Sequence, residues 1–184
     1  DSTFFLEPVE KLAVIAKEKV LEMIKLQSHI ETILPSLKET SSPTHQKPTV
    51  VFYEGVDAVK NTIMEMMYCK SKKIYSIVPK ENFFWQVGKD FVEVFIEERI
   101  KRGIQTKNLW EAPVNSSLIK QYYEGISEVK ILPENMHGKG KTTIFIYDDK
   151  TLCVSSLKNS YCILTTSKEY TDTMRAWFDG LCGG

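Results

Sequence analysis

The sequence has no apolar run approaching the roughly 20 residues that a bilayer-spanning helix needs, so no membrane anchor is expected. A secretory leader is not expected either, because Phe4, Phe5 and Leu6 form too short an apolar stretch and lack a basic flank. Neither sign of charge is in excess: 24 Lys and Arg stand against 24 Asp and Glu. Affinity for nucleic acid comes largely from Lys and Arg neutralising phosphates, so a neutral chain without a basic stripe is not expected to bind DNA directly. Cysteines are few, and Cys69, Cys153, Cys162 and Cys182 form no C-x-x-C pair. Cys153 and Cys162 fall in apolar, strand-like runs, the pattern of buried, reduced thiols in a cytosolic protein. The three histidines, His29, His45 and His137, are scattered, so no metal site and no cofactor are expected. Walker and dinucleotide glycine spacings are absent, as are internal repeats and low-complexity tracts.

What is present suits one domain of ordinary size with a helical arm: 184 residues, 42% hydrophobic and 26% charged. A chain that opens on Asp1 rather than Met is expected to be a fragment or a processed form. Residues 8 to 34 read as one long helix. Pro8 suits its first turn, and Pro35 is expected to bend or end it. Apolar residues recur every seven positions, as Val9, Ala16, Met23, Ile30 and Leu37 and as Leu12, Leu26 and Ile33, with Lys19 interrupting the second set. This is an a/d seam of about four heptads. Such a seam either pairs with a copy of itself or packs on the domain that follows. Self-pairing is the favoured reading, with Val9, Leu12, Ala16, Met23, Leu26, Ile30 and Ile33 as the homodimer interface. On this reading residues 1–38 are a dimerisation helix and 39–48, ETSSPTHQKP, a polar linker with two prolines.

The domain expected over residues 49–182 alternates strands and helices, then changes character. Thr49 to Tyr53 is a short β-rich run, followed by a helix through Val59, Ile63, Met66 and Met67. Lys73 to Val78 is a second strand. A helix from about Asn82 carries Phe84, Val87, Phe91, Val94, Phe95 and Ile100, and closes on a basic turn of Arg99, Lys101 and Arg102 before Gly103. Ile104 to Trp110 is a third strand, Ser117 to Tyr123 a short helix and Glu128 to Leu132 a fourth strand. Thr142 to Tyr147, Thr151 to Ser155 and Tyr161 to Thr165 lie close together, the first two joined at Asp148-Asp149 as a hairpin. A last helix runs from about Lys168 to Leu181, with Trp177 expected in the core. The fold class is therefore α/β, a mixed sheet with helices on its faces, behind a coiled-coil-type helix.

Six segments in this order, FYEGVDAVKNTIMEMM (52 to 67), FIEERIKRGIQ (95 to 105), EVKILPENM (128 to 136), TTIFIYDDKTLCVSS (142 to 156), TMRAWFDGLC (173 to 182) and the long helix before them, resemble the C-terminal region of TrmB-like transcription regulators. The resemblance implies a sensing and dimerising region, with a winged-helix DNA-binding domain that has no counterpart in this sequence. It also implies a domain related to the phospholipase D fold. Phospholipase D chemistry uses H-x-K-x-x-x-x-D, usually with a Gly-Ser pair on the next strand; the His is the nucleophile and the Lys holds phosphate oxygens. Setting Asp148 on the motif's Asp places Lys141 at the His, Thr143 at the Lys and Ser155-Ser156 at Gly-Ser. The scaffold is kept and the nucleophile lost, so the chain is not expected to be an enzyme. His137-Gly138-Lys139 also reads H-x-K, but its Asp position is Ile144 and it lies in a glycine-rich turn.

Ligands of open α/β sheets gather beyond the carboxyl ends of parallel strands. Glu54, Lys80, Asn82, Trp85, Trp110 and Glu111 lie there on this reading and, with Lys141 and Thr143, make up the candidate site. Aromatic faces with a few polar groups suit a small polar ligand such as a sugar. The plainer reading makes Trp85 core and the polar residues caps and turns. Asp148-Asp149 reads as a turn rather than an acid pair, and Lys70, Lys72 and Lys73 as a solvated turn. Two other functions stay open: a phosphodiesterase with a degenerate site, and an assembly domain without a ligand.

Overall fold

A computed structural model describes residues 9–39, 47–80, 84–111, 126–155 and 160–183. The chain divides into two units, 1–46 and 47–184. In the first, helix α1 spans Val9–Glu39. It continues past Pro35, where the sequence had suggested a bend or an end; the proline removes one backbone donor from a helix that its other turns sustain. Taken by itself, α1 leaves Leu12, Ala16, Met23, Leu26 and Ile30 exposed, along with Val14, Ile15, Val20, Leu21 and Ile24. Lys19, the interruption in the seam, pairs with Glu22 on the same helix at 2.7 Å. Val9 and Ile33 are on the helix, but their side chains lie outside the described residues.

In the second unit seven strands form one sheet in the order β1-β7-β6-β5-β2-β3-β4. The strands are β1 (Thr49–Glu54), β2 (Lys73–Val78), β3 (Gln105–Trp110), β4 (Ser127–Ile131), β5 (Thr142–Tyr147), β6 (Lys150–Ser155) and β7 (Tyr161–Thr166). β2, β3 and β4 run parallel to one another. β5, β6 and β7 run as an antiparallel meander, and β1 closes the edge against β7. The hairpin at Asp148-Asp149 forms as the sequence suggests, with Asp148 at φ 47, a conformation Asp tolerates better than most residues.

Side chains alternate across the strands and fill two layers. On one face α2 (Val56–Glu65), α3 (Phe84–Val87) and α4 (Lys89–Lys101) cover Ile74, Phe145, Tyr147, Leu152, Val154 and Cys162. On the other, α5 (Lys168–Gly183) buries Met174 and Phe178 against Leu109 and Ile146. Three sequence expectations need correction here. The helix from Asn82 is two helices, because Gly88 at φ 87 breaks it; Asn82 itself and the segment 117–123 lie outside the described residues. Arg99, read as part of a basic last turn, points inward and is 1% exposed. Its Nη1 donates to the carbonyls of Ile104 (3.0 Å) and Ile126 (3.4 Å), which ties α4 to the edges of β3 and β4. Trp177, read as core, is 63% exposed: Met174 and Phe178 take the buried face and leave it on the flank.

Candidate functional site

The carboxyl ends of β2 and β3 and the start of β5 meet at one edge of the sheet. Val78 is in register with Trp110, and Ile77 with Ile144. One further step in the same register sets Val78 beside Thr143. Trp110, Val78 and Thr143 therefore form a row on one face, and at a strand spacing of about 4.8 Å the outer two are about 10 Å apart. Among the described residues, Trp110 Nε1 and Thr143 Oγ1 are both buried without a hydrogen-bond partner. An unpaired buried polar atom costs about 1–3 kcal/mol, so two in one row stand out.

Glu111 organises the rim. Its Oε2 accepts from the backbone N–H of Lys80 at 3.0 Å and its Oε1 from that of Gly138 at 2.7 Å. Those two hydrogen bonds, the Lys80 one first, hold its carboxyl below the usual range. Glu111 thus fastens the loop after β2 to the turn before β5, as the cap-and-turn reading has it. Lys80 and Lys141 are exposed beside it. His137 accompanies the same turn, its Nε2 2.8 Å from the carbonyl oxygen of Leu132.

The structure brings Lys80, Trp110, Glu111, Lys141 and Thr143 to this edge. Glu54 lies on the same edge at the end of β1, but β7, β6 and β5 separate it from β2; four strand steps are about 19 Å. Trp85 is on α3 with its side chain outside the described residues, and Asn82 lies outside them altogether. Ser155 is buried at the end of β6, in register with Thr142, and Ser156 lies outside the described residues.

Asp148 sits at the other end of β5, about 23 Å from Lys141 at the rise of a strand. Its carboxylate accepts from the backbone N–H groups of Lys70 at 2.8 Å and Ser71 at 2.9 Å. Burial pushes this carboxyl up, but the Ser71 and Lys70 hydrogen bonds outweigh it and leave the carboxyl below its usual range. Asp148 is therefore a fastener for the turn that leads into β2. Among the described residues no group of three His, Cys, Asp or Glu is placed to hold a metal.

Sequence reasoning gave no sign of a cleft of about 330 Å³ lined by residues of α2, the turn after it and the end of α4, with Asn61, Met64, Glu65, Met67, Tyr68 and Arg102 among them. The Arg102 guanidinium lies 4.6 Å from the Tyr68 ring centre. No periodicity or motif links these positions.

No protein-family model matches the chain, and no curated protein matches it. Solved structures do. Nuc from Salmonella typhimurium, a phospholipase D family member, superposes with a TM-score of 0.55 at 9% identity, over 74% of this chain and 95% of that one. NucT from Helicobacter pylori gives 0.52 at 10% identity, over 74% and 97%. TrmBL2, an archaeal chromatin protein whose structure shows a mode of DNA binding, gives 0.50 at 17% identity; the match covers 94% of this chain and 66% of that one. The fold is phospholipase D-like, and it is shared with TrmBL2, a TrmB-like protein, as well as with Nuc and NucT.

Proposed function

We propose that this chain is the non-catalytic, ligand-sensing and dimerising region of a TrmB-like transcription regulator. The observation that carries the proposal is the division of labour along β5. With Asp148 set on the Asp of the phospholipase D motif that the sequence resembles, Lys141 falls at the nucleophile's position and Thr143, which is fully buried, at that of the phosphate-binding lysine. Asp148, the third member, has a reason to be there that owes nothing to catalysis, since it holds the amides of Lys70 and Ser71. A lysine in place of the histidine removes the imidazole that attacks phosphorus in that chemistry. His137, the histidine nearest the rim in sequence, is engaged with the Leu132 carbonyl.

The same edge suits a small polar ligand such as a sugar. The Trp110 indole offers a donor and an apolar plate, the Thr143 hydroxyl both donates and accepts, and Lys80 and Lys141 supply charge at the rim. Neither Trp110 Nε1 nor Thr143 Oγ1 has to surrender a hydrogen bond within the described residues to meet a ligand. The dimerising region is residues 1–38, the linker 39–48 and the sensing domain 49–182. Apolar side chains surround α1, as in a helix that is covered by a partner, and Val9, Leu12, Ala16, Met23, Leu26, Ile30 and Ile33 are the surface given to a second copy. The regulator works in the cytoplasm, and its contact with DNA is made by residues outside this chain. Among the described residues no helix is long and apolar enough to cross a membrane.

The test is thermal unfolding of the full chain with glucose, maltose, sucrose and inorganic phosphate. A ligand at 100 times its Kd stabilises the native state by about 2.7 kcal/mol. At least one of the four is expected to raise Tm, and Trp110→Phe, which keeps the ring and removes the donor, is expected to weaken that response. No shift with any of them would remove the sensing role and leave an assembly domain.

A further inference from the structure

Among the described residues of the second unit, one face of the sheet is only half covered. α5 begins over β6, where the Thr171 and Thr151 hydroxyls lie 3.3 Å apart, and ends at β4, where Lys130 Nζ donates to the Cys182 carbonyl at 3.0 Å. On the way it sets the Arg175 guanidinium 3.2 Å from the Tyr75 ring centre. The helix therefore drifts towards β4 and away from β7 and β1, where β7 is half-buried and β1 exposed. Register places Val50 and Phe52 of β1, Tyr161, Ile163 and Thr165 of β7, and Cys153 of β6 on this uncovered side. Val50 is 68% and Phe52 58% exposed, and the Phe52 ring stacks on Tyr161 with centres 5.5 Å apart.

The exposed aromatics of α5 face the same way. At about 100° per residue, positions 174 and 178 point to the sheet, 175 and 182 to the β2–β4 side, and 170 and 177 to the opposite flank. That flank overlooks the bare strip, and it carries Tyr170 at 44% and Trp177 at 63% exposure. Two strands side by side are about 10 Å wide, the diameter of a helix with its side chains. One surface thus carries both a bare strip as wide as a helix and a helix flank without a cover.

We infer that the β1–β7 strip and the Tyr170–Trp177 flank of α5 together form a self-association surface whose occupant is a second copy of this chain. A two-fold axis sets each α5 flank on the other copy's strip, so that the two helices share one layer between two sheets. Val50, Phe52, Tyr170 and Trp177 alone expose roughly 450 Å², taking about 150–250 Å² for a whole aromatic side chain. That is over half of the roughly 800 Å² per partner of a stable interface, before the half-buried Cys153, Tyr161, Ile163 and Thr165 are added. The strip buries no unpaired charge at its centre: Glu54 lies at its upper end, and Lys168 and Asp172 of α5 pair with each other at 2.6 Å. The inference does not rest on the sensing role, and the surface is separate from the seam of α1.

Sedimentation equilibrium of the full chain carrying Leu26→Glu and Ile30→Glu, which remove the seam's apolar contacts, is the test. That protein is expected to remain dimeric at 100 µM. Adding Phe52→Glu is expected to weaken association at least tenfold, and adding Tyr170→Ala with Trp177→Ala to do the same without touching the sheet. Circular dichroism and Tm matching the parent show that the variants fold. A seam variant that is already monomeric at 100 µM overturns the inference. So does a strip variant whose Tm falls while its association constant holds, because another part of the same chain would then cover the strip.

Discussion

Thr143 and Trp110 separate folding from binding. A hydroxyl buried without a partner opposes folding, and replacing it with a methyl removes that cost. Thr143→Val is therefore expected to hold or raise Tm while reducing the Tm response to ligand. A residue whose hydroxyl served only the core would lower Tm when replaced. Asp148 behaves in the opposite way. Asp148→Asn keeps the shape and the tolerance of positive φ but weakens two charge-assisted hydrogen bonds. The expected cost is about 1 kcal/mol, small because the carboxylate is open to water. Asp148 and Glu111 both have folded-state values below their ordinary ones, so the fold favours the ionised form. Their contribution is complete above the unfolded-state values near 4 and is lost as pH falls through the lower folded ones. Tm is expected to decline from about pH 5 downwards, and Asp148→Asn to flatten that decline; a profile identical to the parent's would show that the two amide contacts carry no weight.

Elements differ in how far local pattern reveals them. β2, in which fully buried residues alternate with less buried ones, and β5, an apolar run covered on both faces, carry periods that packing only confirms. Gly88 was harder to read. The apolar positions of α3 and α4 run on across it, and only its positive φ divides them. A side chain there must take a backbone conformation that is nearly glycine's alone and costs about 1–3 kcal/mol, so Gly88→Ala is expected to lower stability by about that amount in a urea titration. A rise instead would mean that the two helices join at no cost. Arg99 and Trp177 were misread for one reason. Charge and size state a preference for water or core, but the side of a helix that meets the sheet is decided by its neighbours: Ile104 and Ile126 carbonyls draw Arg99 in, and the drift of α5 leaves Trp177 out. The α1 seam is legible as spacing alone. The full chain is expected to be dimeric at tens of micromolar, and a monomer there would return the arm to the reading in which it packs on its own domain.

At the scale of the molecule, a mixed sheet with helices on both faces follows from strand–helix alternation that gives way to hairpins. The site was legible only where backbone order determines proximity. Strands in sequence order suggest that the ends of β1 and β2 are neighbours, yet the meander β5-β6-β7 inserts itself between them and carries Glu54 away. Lys141 and Thr143 came within reach of Trp110 because β5 returns antiparallel beside β2. The outcome is a phospholipase D-like scaffold that sets Lys141 and a buried Thr143 at the sheet edge shared with Trp110. Its net charge of zero offers phosphates little, so specific duplex binding by this chain at physiological salt is not expected. The account's central claim, that the scaffold persists without its chemistry, is tested most directly by hydrolysis of bis(p-nitrophenyl) phosphate by the purified full chain at neutral pH. The expected result is release of nitrophenol at the buffer rate, unchanged by Lys141→Ala or His137→Ala. Turnover above that rate, abolished by either substitution, would contradict it.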